Sequence, residues 1–482
     1  MLRLRYEPVD LFRLVHKVPE LAGCSDLAMD PLLATLDQVL DDEKLLLLAW
    51  NDYVTRRPHC LETGRDSTPV EALLRLQALR RLYGWSYDQV RTQVKGSLAL
   101  RQFTRLYGHR VPSKATLDDW ALALHPATVR LIHQRIVQIG VREHVTQGRK
   151  LRSDGTVTET NIHYPTDSSL LSDSVRVLGR MLTAARRTVG RDRRVSPKLF
   201  VNHTRSTKRL ARAIARAVRK RQTVENTPKI QRQYRKMIRV AQETVAHVQT
   251  VVPMMEGRPG HAEQALAKTL THYLPLVRQV IDQTERRIVR HESVPAPDKL
   301  VSLFEPHSQV IRRGKPAPRE TEFGRKLWLD EVDGGLISDY RLLVGNPPDA
   351  EAFAPSVQQH RKLFHHPPEL VATDRGAASP TNESAAQRAG VTEVCLPEAG
   401  HRTPERIAYE RQAWFRLGER FRAGVEGRIS VLKRARQLDR CRDHGEPGFE
   451  KWVGWGCLVN NLVLIARALL HRRRRRRATA DA

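Results

Sequence analysis

The chain has 482 residues, with 82 lysines and arginines against 53 aspartates and glutamates, and a formal net charge of +29. This length predicts two to four domains, and the charge favours a polyanionic partner because cations on phosphates release condensed counterions. Hydrophobic residues make up 40% of the chain, which excludes a disordered polycation and weighs against a ribosomal or chromatin-type packing protein.

The cysteine pattern and the apolar segments indicate a soluble protein of a reducing compartment. The five cysteines are scattered without a CxxC pair, which argues against a disulfide framework or a zinc knuckle. Cys441 and His444 are spaced like half a zinc site, but no second pair follows. The N-terminus has no apolar segment typical of a signal peptide, and Trp455–Leu470 is short and polar for a bilayer span, so we predict a buried helix there. We expect a cytoplasmic, nucleoid-associated location.

The N-terminal region reads as short helices. After helical patterns in residues 1–65, Thr68, Pro69 and Glu71 predict an N-cap, a first helical residue and a capping box. Ser86 is a plausible cap for the next helix, and further helices are predicted near 98–107 and 112–120. Residues 66–147 therefore suit a helix-turn-helix-like DNA-binding domain, although the pattern equally fits a small helical bundle.

The pattern changes at Lys150, where Leu151–His163 is rich in β-branched residues and predicts a strand. From about 170 to 290 the pattern is helical again, and residues 176–239 hold about twenty lysines and arginines against two acids. Cations recur there at steps of three and four residues, a helical stripe suited to DNA phosphates: Arg205, Lys208, Arg209, Arg212 and Arg216, continuing to Arg219 and Lys220.

The C-terminal half alternates strands and helices. Strands are predicted at 324–330 and 336–344, joined by a hairpin turn at 332–335, and at 370–373 and 391–396. Helices are predicted at 350–362, at 381–389 and from 404 onward, and the six arginines of 472–477 are predicted to be disordered.

These elements predict an α/β fold. Without the insertion, their order is that of a ribonuclease-H-like catalytic domain, carrying a large basic helical insertion and preceded by an all-α helix-turn-helix-like N-terminal region. The predicted divisions are an N-terminal helical segment 1–65, a DNA-binding domain 66–147, a catalytic domain 148–170 with 301–465, an insertion 171–300 and an arginine-rich tail 466–482.

Three acids occupy positions that such a fold could bring together. Asp154 lies on the first strand, Asp374 follows a short apolar strand, and Glu426 lies in the last long helical stretch. Singly, each acid is more often a turn former, a helix cap or a solvated residue. Three converging carboxylates suit Mg²⁺, and two such ions can cleave a phosphodiester and join the freed end to a new phosphate. Asp167 and Asp330 are rival carboxylates. As candidate metal ligands they rank below the three acids, because Asp167 lies in a helix-cap sequence and Asp330 lies beside a hairpin.

The segments around these acids resemble a known family. Asp154-Gly-Thr-Val-Thr-Glu-Thr-Asn-Ile-His163, with the residues up to Leu171, resembles the first-aspartate block of insertion-sequence DDE transposases, in particular the ISNCY group. Thr373-Asp374-Arg-Gly376 resembles their second block, the spacing of Arg422, Glu426 and Lys433 resembles that around their glutamate, and 67–120 resembles their DNA-binding region.

The resemblance implies a DNA transposase that binds terminal inverted repeats and cuts and joins DNA strands. It implies Asp154, Asp374 and Glu426 as catalytic residues and metal ligands for two Mg²⁺ or Mn²⁺ ions, Arg422 and Lys433 as DNA contacts, and a homodimer on double-stranded terminal and target DNA. In some of these families a tyrosine precedes the arginine by three residues, whereas this chain has Glu419. The alternatives are a metal-dependent nuclease of the same fold and a non-catalytic DNA-binding protein.

Overall fold

The computed structural model describes residues 1–6, 29–63, 66–191, 195–219, 227–312 and 321–480. Its contacts divide the chain into two units, the first formed by Met1–Glu159 with Lys326–Ala482 and the second by Thr160–Arg325. The protein is a mixed α/β protein, as the sequence predicts. The domain boundaries given above remain a prediction.

Seven described helices open the first unit. The predicted cap at Ser86 is confirmed, because its hydroxyl accepts from the amide of Gln89, and the side chain of Gln89 also accepts from the amide of Ser86, which completes a capping box. The predicted cap at Thr68 is wrong. That helix begins at Val70, whose amide donates to the carbonyl of Arg3, so the N-terminal segment of the chain caps this helix. The helices are α1 Pro31–Leu40, α2 Glu43–Arg56, α3 Val70–Tyr83, α4 Tyr87–Gly96, α5 Leu98–Phe103, α6 Lys114–Ala123 and α7 Pro126–Arg142.

A sheet of short and long strands follows. The strands are β1 Lys150–Thr160, β2 Gln309–Arg312, β3 Thr321–Val332, β4 Ile337–Leu342, β5 Leu370–Ala372, β6 Glu393–Cys395 and β7 Arg440–Cys441. In the first unit the spatial order is β4-β3-β1-β5-β6, and β7 pairs with β1. β5 is parallel to both β1 and β6, whereas β3 and β4 form an antiparallel hairpin. The predicted hairpin turn is confirmed, with Gly334 and Gly335 at φ of 77° and 80°. The strands β2 and β7 were not predicted.

Helices cover both faces of the sheet because successive strand residues point to opposite sides. Leu151 and Val371 belong to the large core that includes Phe353 of helix α12. Leu370 and Ala372 face the other way, into a cluster with Phe415 of helix α15. The remaining helices of the unit are α12 Asp349–Phe364, α13 Pro380–Arg388, α14 Pro404–Glu410, α15 Ala413–Ala435 and α16 Gly445–Ala480.

Helix α16 is long and apolar enough to cross a membrane, but 72% of its apolar window is buried inside the protein. Its Asn461 is fully buried and bonds both the amide and the carbonyl of Ile337, at 2.9 and 2.8 Å. The predicted buried C-terminal helix is thus confirmed. The predicted disorder of 472–477 is wrong, because the helix continues through these arginines. Arg472 donates to the carbonyl of His144, and Arg473 to Gln38.

The second unit is largely helical, as predicted for this stretch, and also contains the pairing of β2 with the start of β3. Its described helices are α8 Asp167–Ala185, α9 Thr204–Arg219, α10 Thr227–Glu256 and α11 His261–Thr284, followed by a π-helical turn Glu285–Val289. Leu178, Ile214, Val248 and Leu270, one from each helix, share one apolar core.

Candidate active site

The two predicted aspartates lie on neighbouring parallel strands. Lys150 of β1 pairs with Leu370 of β5, and Arg152 pairs with Ala372. Asp154 and Asp374 each lie two residues beyond the last of these pairs, so they continue the same row on the same side of the sheet. Adjacent strands are about 4.8 Å apart. By this register the two aspartates lie on neighbouring strands, just beyond the end of the β1–β5 ladder.

Asp374 is held by a tight turn. Its carboxylate accepts a hydrogen bond of 3.0 Å from the amide of Gly376, which fixes the turn that follows β5. Asp154 and Asp374 are both half-buried. Both residues are thus partly shielded from bulk water.

A further carboxylate, which sequence reasoning missed, lies beside Gly155 and Gly376, which follow the two aspartates in the chain. Asp349, the first residue of α12, has one oxygen 3.1 Å from where a Cβ of Gly155 would lie and the other 3.1 Å from where a Cβ of Gly376 would lie. A side chain at either glycine would crowd it. Asp349 forms an ion pair of 2.8 Å with Lys326, which is buried on β3. In the sequence, Asp349 is an acid just after Pro347 and Pro348, a pattern that predicts only the start of a helix.

Helix α15 lies on the sheet face to which both aspartates belong. Its Gly418 approaches Leu370 and Cys395 so closely that a Cβ there would lie 2.8 Å from the Cys395 sulfur. Arg152 donates to the carbonyl of Phe421 and crosses over its ring. Since Arg152 precedes Asp154 by two residues on the same side of β1, the helix passes over the strand beside the aspartate row.

Glu426 lies on one edge of this helix. Val425 is buried, and at 100° per residue Arg428 and Glu426 lie on opposite sides of it. Arg428 contacts Glu331 at 3.1 Å, beside Arg152 near the start of β1. Glu426 is therefore on the edge of α15 that does not face Glu331.

The side chain of Glu426 does not join the aspartates. It is 69% exposed and forms an ion pair of 3.2 Å with Arg422, one turn earlier. Lys433 lies two turns later and is half-buried. Within the described ranges, no three histidine, cysteine, aspartate or glutamate side chains are grouped to hold a metal ion. The structure thus places two of the three predicted acids on neighbouring strands and leaves the third in an ion pair on helix α15.

The two rival carboxylates are engaged in internal contacts. Asp330 is fully buried, accepts a hydrogen bond of 2.6 Å from Ser153 and lies near Arg341, and burial raises its pKa. Asp167 accepts two hydrogen bonds from Arg287, in the second unit.

Comparison with known proteins gives one match. Residues 25–121 match the family described as Transposase domain (DUF772). The match supports a transposase. No curated protein and no solved structure matches the chain. The matched residues run from before α1 into α6, so Asp154, Asp374 and Glu426 all lie outside them.

A strongly basic helix lies in the second unit of this transposase-like chain. The five predicted cations of α9 are all exposed, and they line a shallow groove: Arg205, Lys208, Arg209, Arg212 and Arg216. Thr207 and Ile214 are buried on the opposite side. The helix carries no acid, so its outer face is a continuous positive stripe. The side chain of Arg219 and all of Lys220 lie outside the described residues.

Proposed function

We propose that this chain is a DDE-type DNA transposase that cuts DNA at terminal inverted repeats and joins the freed strands to target DNA. The observation that carries the proposal is the shared row of Asp154 and Asp374 at the end of two parallel strands. The strand order, the match of 25–121 and the basic helix α9 support it. We also propose that the sheet is ribonuclease-H-like and that the N-terminal helices read DNA.

The aspartate pair fits a divalent cation. Asp154 and Asp374 offer oxygen donors from adjacent strands, and hard ions such as Mg²⁺ or Mn²⁺ prefer oxygen ligands and keep several waters. Two such ions, when bound, activate an attacking oxygen and stabilise a leaving oxygen. In this proposal Asp154 and Asp374 hold the ions, and Glu426 completes the set once it leaves Arg422.

The cations position the DNA. Arg422 and Lys433 flank Glu426 on α15, and their charges would hold phosphates near the aspartate row. The stripe on α9 would bind further backbone phosphates without reading sequence. A homodimer that bridges two DNA ends remains a prediction.

The test measures cleavage of a plasmid that carries the inverted repeats flanking this reading frame, with Mg²⁺ or Mn²⁺. Asp154→Asn, Asp374→Asn and Glu426→Gln should reduce cleavage to background and leave binding to the repeats nearly unchanged. Glu419→Gln is the matched control, because Glu419 is an exposed acid of the same helix, and it should cut normally. Cleavage by Asp374→Asn at the normal rate would refute the site.

The products separate the proposal from its two alternatives. Strands joined to target DNA support a transposase, whereas hydrolysed ends alone indicate a nuclease of the same fold. One observation favours a non-catalytic DNA-binding protein, namely that Glu426 is paired with Arg422 rather than with the aspartates. Tight binding without any metal-dependent nicking would establish that alternative.

A further inference from the structure

Helix α16 ends in a run of six consecutive arginines, Arg472–Arg477. Asp481 is the only acid of the chain after Glu450. The segment 7–28 holds four acids and two cations, so a net charge of +3 would remain even if all of these charges and Asp481 lay beside the six arginines. A charge of this kind favours a polyanionic partner.

The first two arginines anchor the end of the helix to the first unit. Arg472 donates to the carbonyl of Glu143 and, at 2.6 Å, to the carbonyl of His144, just after α7. Arg473 donates to the side-chain oxygen of Gln38 on α1, at 2.7 Å. The arginine run is therefore a fixed extension of the folded unit, and its remaining cations leave the protein surface in a defined direction.

The next four arginines, Arg474–Arg477, surround the helix. All four are exposed, and at 100° per residue they are distributed around the whole helix axis. Among the residues that the structure describes, none forms a hydrogen bond or an ion pair with their side chains. The acid beside the anchor, Glu143, is already paired with Arg142 at 3.2 Å. Four guanidinium groups are thus presented to solvent on all sides of one helical turn.

Repulsion within this run makes an anion a favourable partner. Residues three and four apart are neighbours on a helix, so Arg472 lies beside Arg476 and Arg473 beside Arg477, and like charges at this spacing destabilise the helix. The negative end of the helix macrodipole offsets part of the repulsion. Phosphates on more than one side of the helix would offset the rest.

The shape of this element favours duplex DNA over a flat anionic surface. A helix is about 10–12 Å across, and the major groove of DNA is about 12 Å wide, with a phosphate backbone along each edge. A helix in that groove has phosphates on both sides, whereas a membrane surface offers them on one side only. Arginines that point in every direction suit the groove.

We propose that the end of α16 is a DNA-binding element that enters the major groove, where Arg474–Arg477 pair with phosphates of both strands. The proposal rests on the proposed function only in taking DNA as the polyanion. It requires neither cleavage nor recognition of particular repeats. The element would hold duplex DNA against the first unit, which also carries the candidate active site.

The first test measures the affinity of the full-length protein for a labelled random-sequence duplex, by fluorescence anisotropy over a range of NaCl concentrations. Arg475→Gln combined with Arg476→Gln should weaken binding about ten- to thirtyfold at 0.15 M NaCl, and lower the slope of log affinity against log salt by about two, as expected for two lost phosphate contacts. Arg361→Gln combined with Lys362→Gln is the matched control, since these are two exposed cations in the last turn of α12. Equal effects of the two double variants would overturn the proposal.

The second test asks whether the helix itself matters. Arg474→Ala and Arg474→Pro remove the same charge, but proline also breaks the helix just beyond the anchor. Arg474→Pro should bind the duplex about tenfold more weakly than Arg474→Ala, because the three following arginines lose their fixed positions. Both variants should keep the wild-type melting temperature, since the anchoring residues are unchanged. Equal affinities would show that a disordered arginine tail serves as well, and would overturn the proposal.

Vesicles that contain phosphatidylserine test the other polyanionic surface. If the wild-type protein binds them and the Arg475 and Arg476 double variant does not, while the duplex affinity of that variant is unchanged, the element binds membranes and the proposal is overturned. Loss of duplex affinity in the double variant, together with a wild-type protein that never cuts DNA, would refute only the proposed function.

Discussion

Glu331 joins the sheet to the helix that carries Glu426, and its removal should be costly. Its side chain is fully buried and contacts two guanidinium groups, that of Arg152 at 2.7 Å and that of Arg428 at 3.1 Å. Glu331→Gln preserves the shape but removes the charge, so it leaves two largely buried cations facing a neutral amide. Breaking a buried ion pair from one side costs about 3–5 kcal/mol.

This cost is measurable by thermal unfolding. For a unit of this size, roughly 2 °C of melting temperature corresponds to 1 kcal/mol, so Glu331→Gln should lower the melting temperature by about 6–10 °C. Glu159→Gln is the control, because Glu159 forms a short pair of 2.6 Å with Arg440 at the surface, where both side chains are more than a third exposed. Such a pair contributes at most about 1 kcal/mol. Equal shifts for the two variants would refute the reasoning.

Three further predictions concern other parts of the chain. Burial and the neighbouring Asp330 raise the pKa of Asp339 to about 6, so this group stabilises the fold below pH 4 and the stabilisation is lost as the pH rises to 6. The melting temperature of Asp339→Asn relative to wild type should therefore rise across that window, by the equivalent of about 3 kcal/mol. A difference that stays constant with pH would contradict this. Asn461→Leu should lower the free energy of unfolding, measured in urea, by about 2–4 kcal/mol, since the buried amide and carbonyl of Ile337 lose their partner. An unchanged midpoint of urea unfolding would show that both groups find other partners. Reversing the charge of Arg209 and Arg212 together should weaken DNA binding at least tenfold in a gel-shift assay and reduce its dependence on salt, whereas an unchanged affinity would remove α9 from the DNA interface.

The sequence predicts the elements well where the local pattern is strong. The hairpin at Gly334 and Gly335 follows from turn chemistry, and the short apolar strand before Asp374 from its length and flanking residues. Each is settled by interactions within a few residues, which is why local reasoning reaches them.

The predictions that are wrong fail because contacts between distant parts of the chain override the local pattern. Thr68 loses its predicted cap because the distant Arg3 carbonyl takes the amide of Val70. The arginines after Leu470 are helical because they extend an already buried helix, and Arg472 bonds backbone carbonyls at the end of α7. The position of Asp349 beside two glycines, one on β1 and one after β5, also depends on three segments meeting, which no local pattern encodes.

The position of Glu426 follows from the same balance of local and distant forces. An exposed pair of residues four apart on a helix, such as Arg422 and Glu426, contributes only about 0.3–0.5 kcal/mol. In this pair both terminal nitrogens of Arg422 share one oxygen of Glu426, at 3.3 and 3.2 Å, whereas a DNA phosphate can accept two parallel hydrogen bonds from a guanidinium on separate oxygens. Under the proposed function, DNA that binds Arg422 would release Glu426 at little cost. The carboxylate set would then be complete only on DNA, which would restrain cleavage until the substrate is in place.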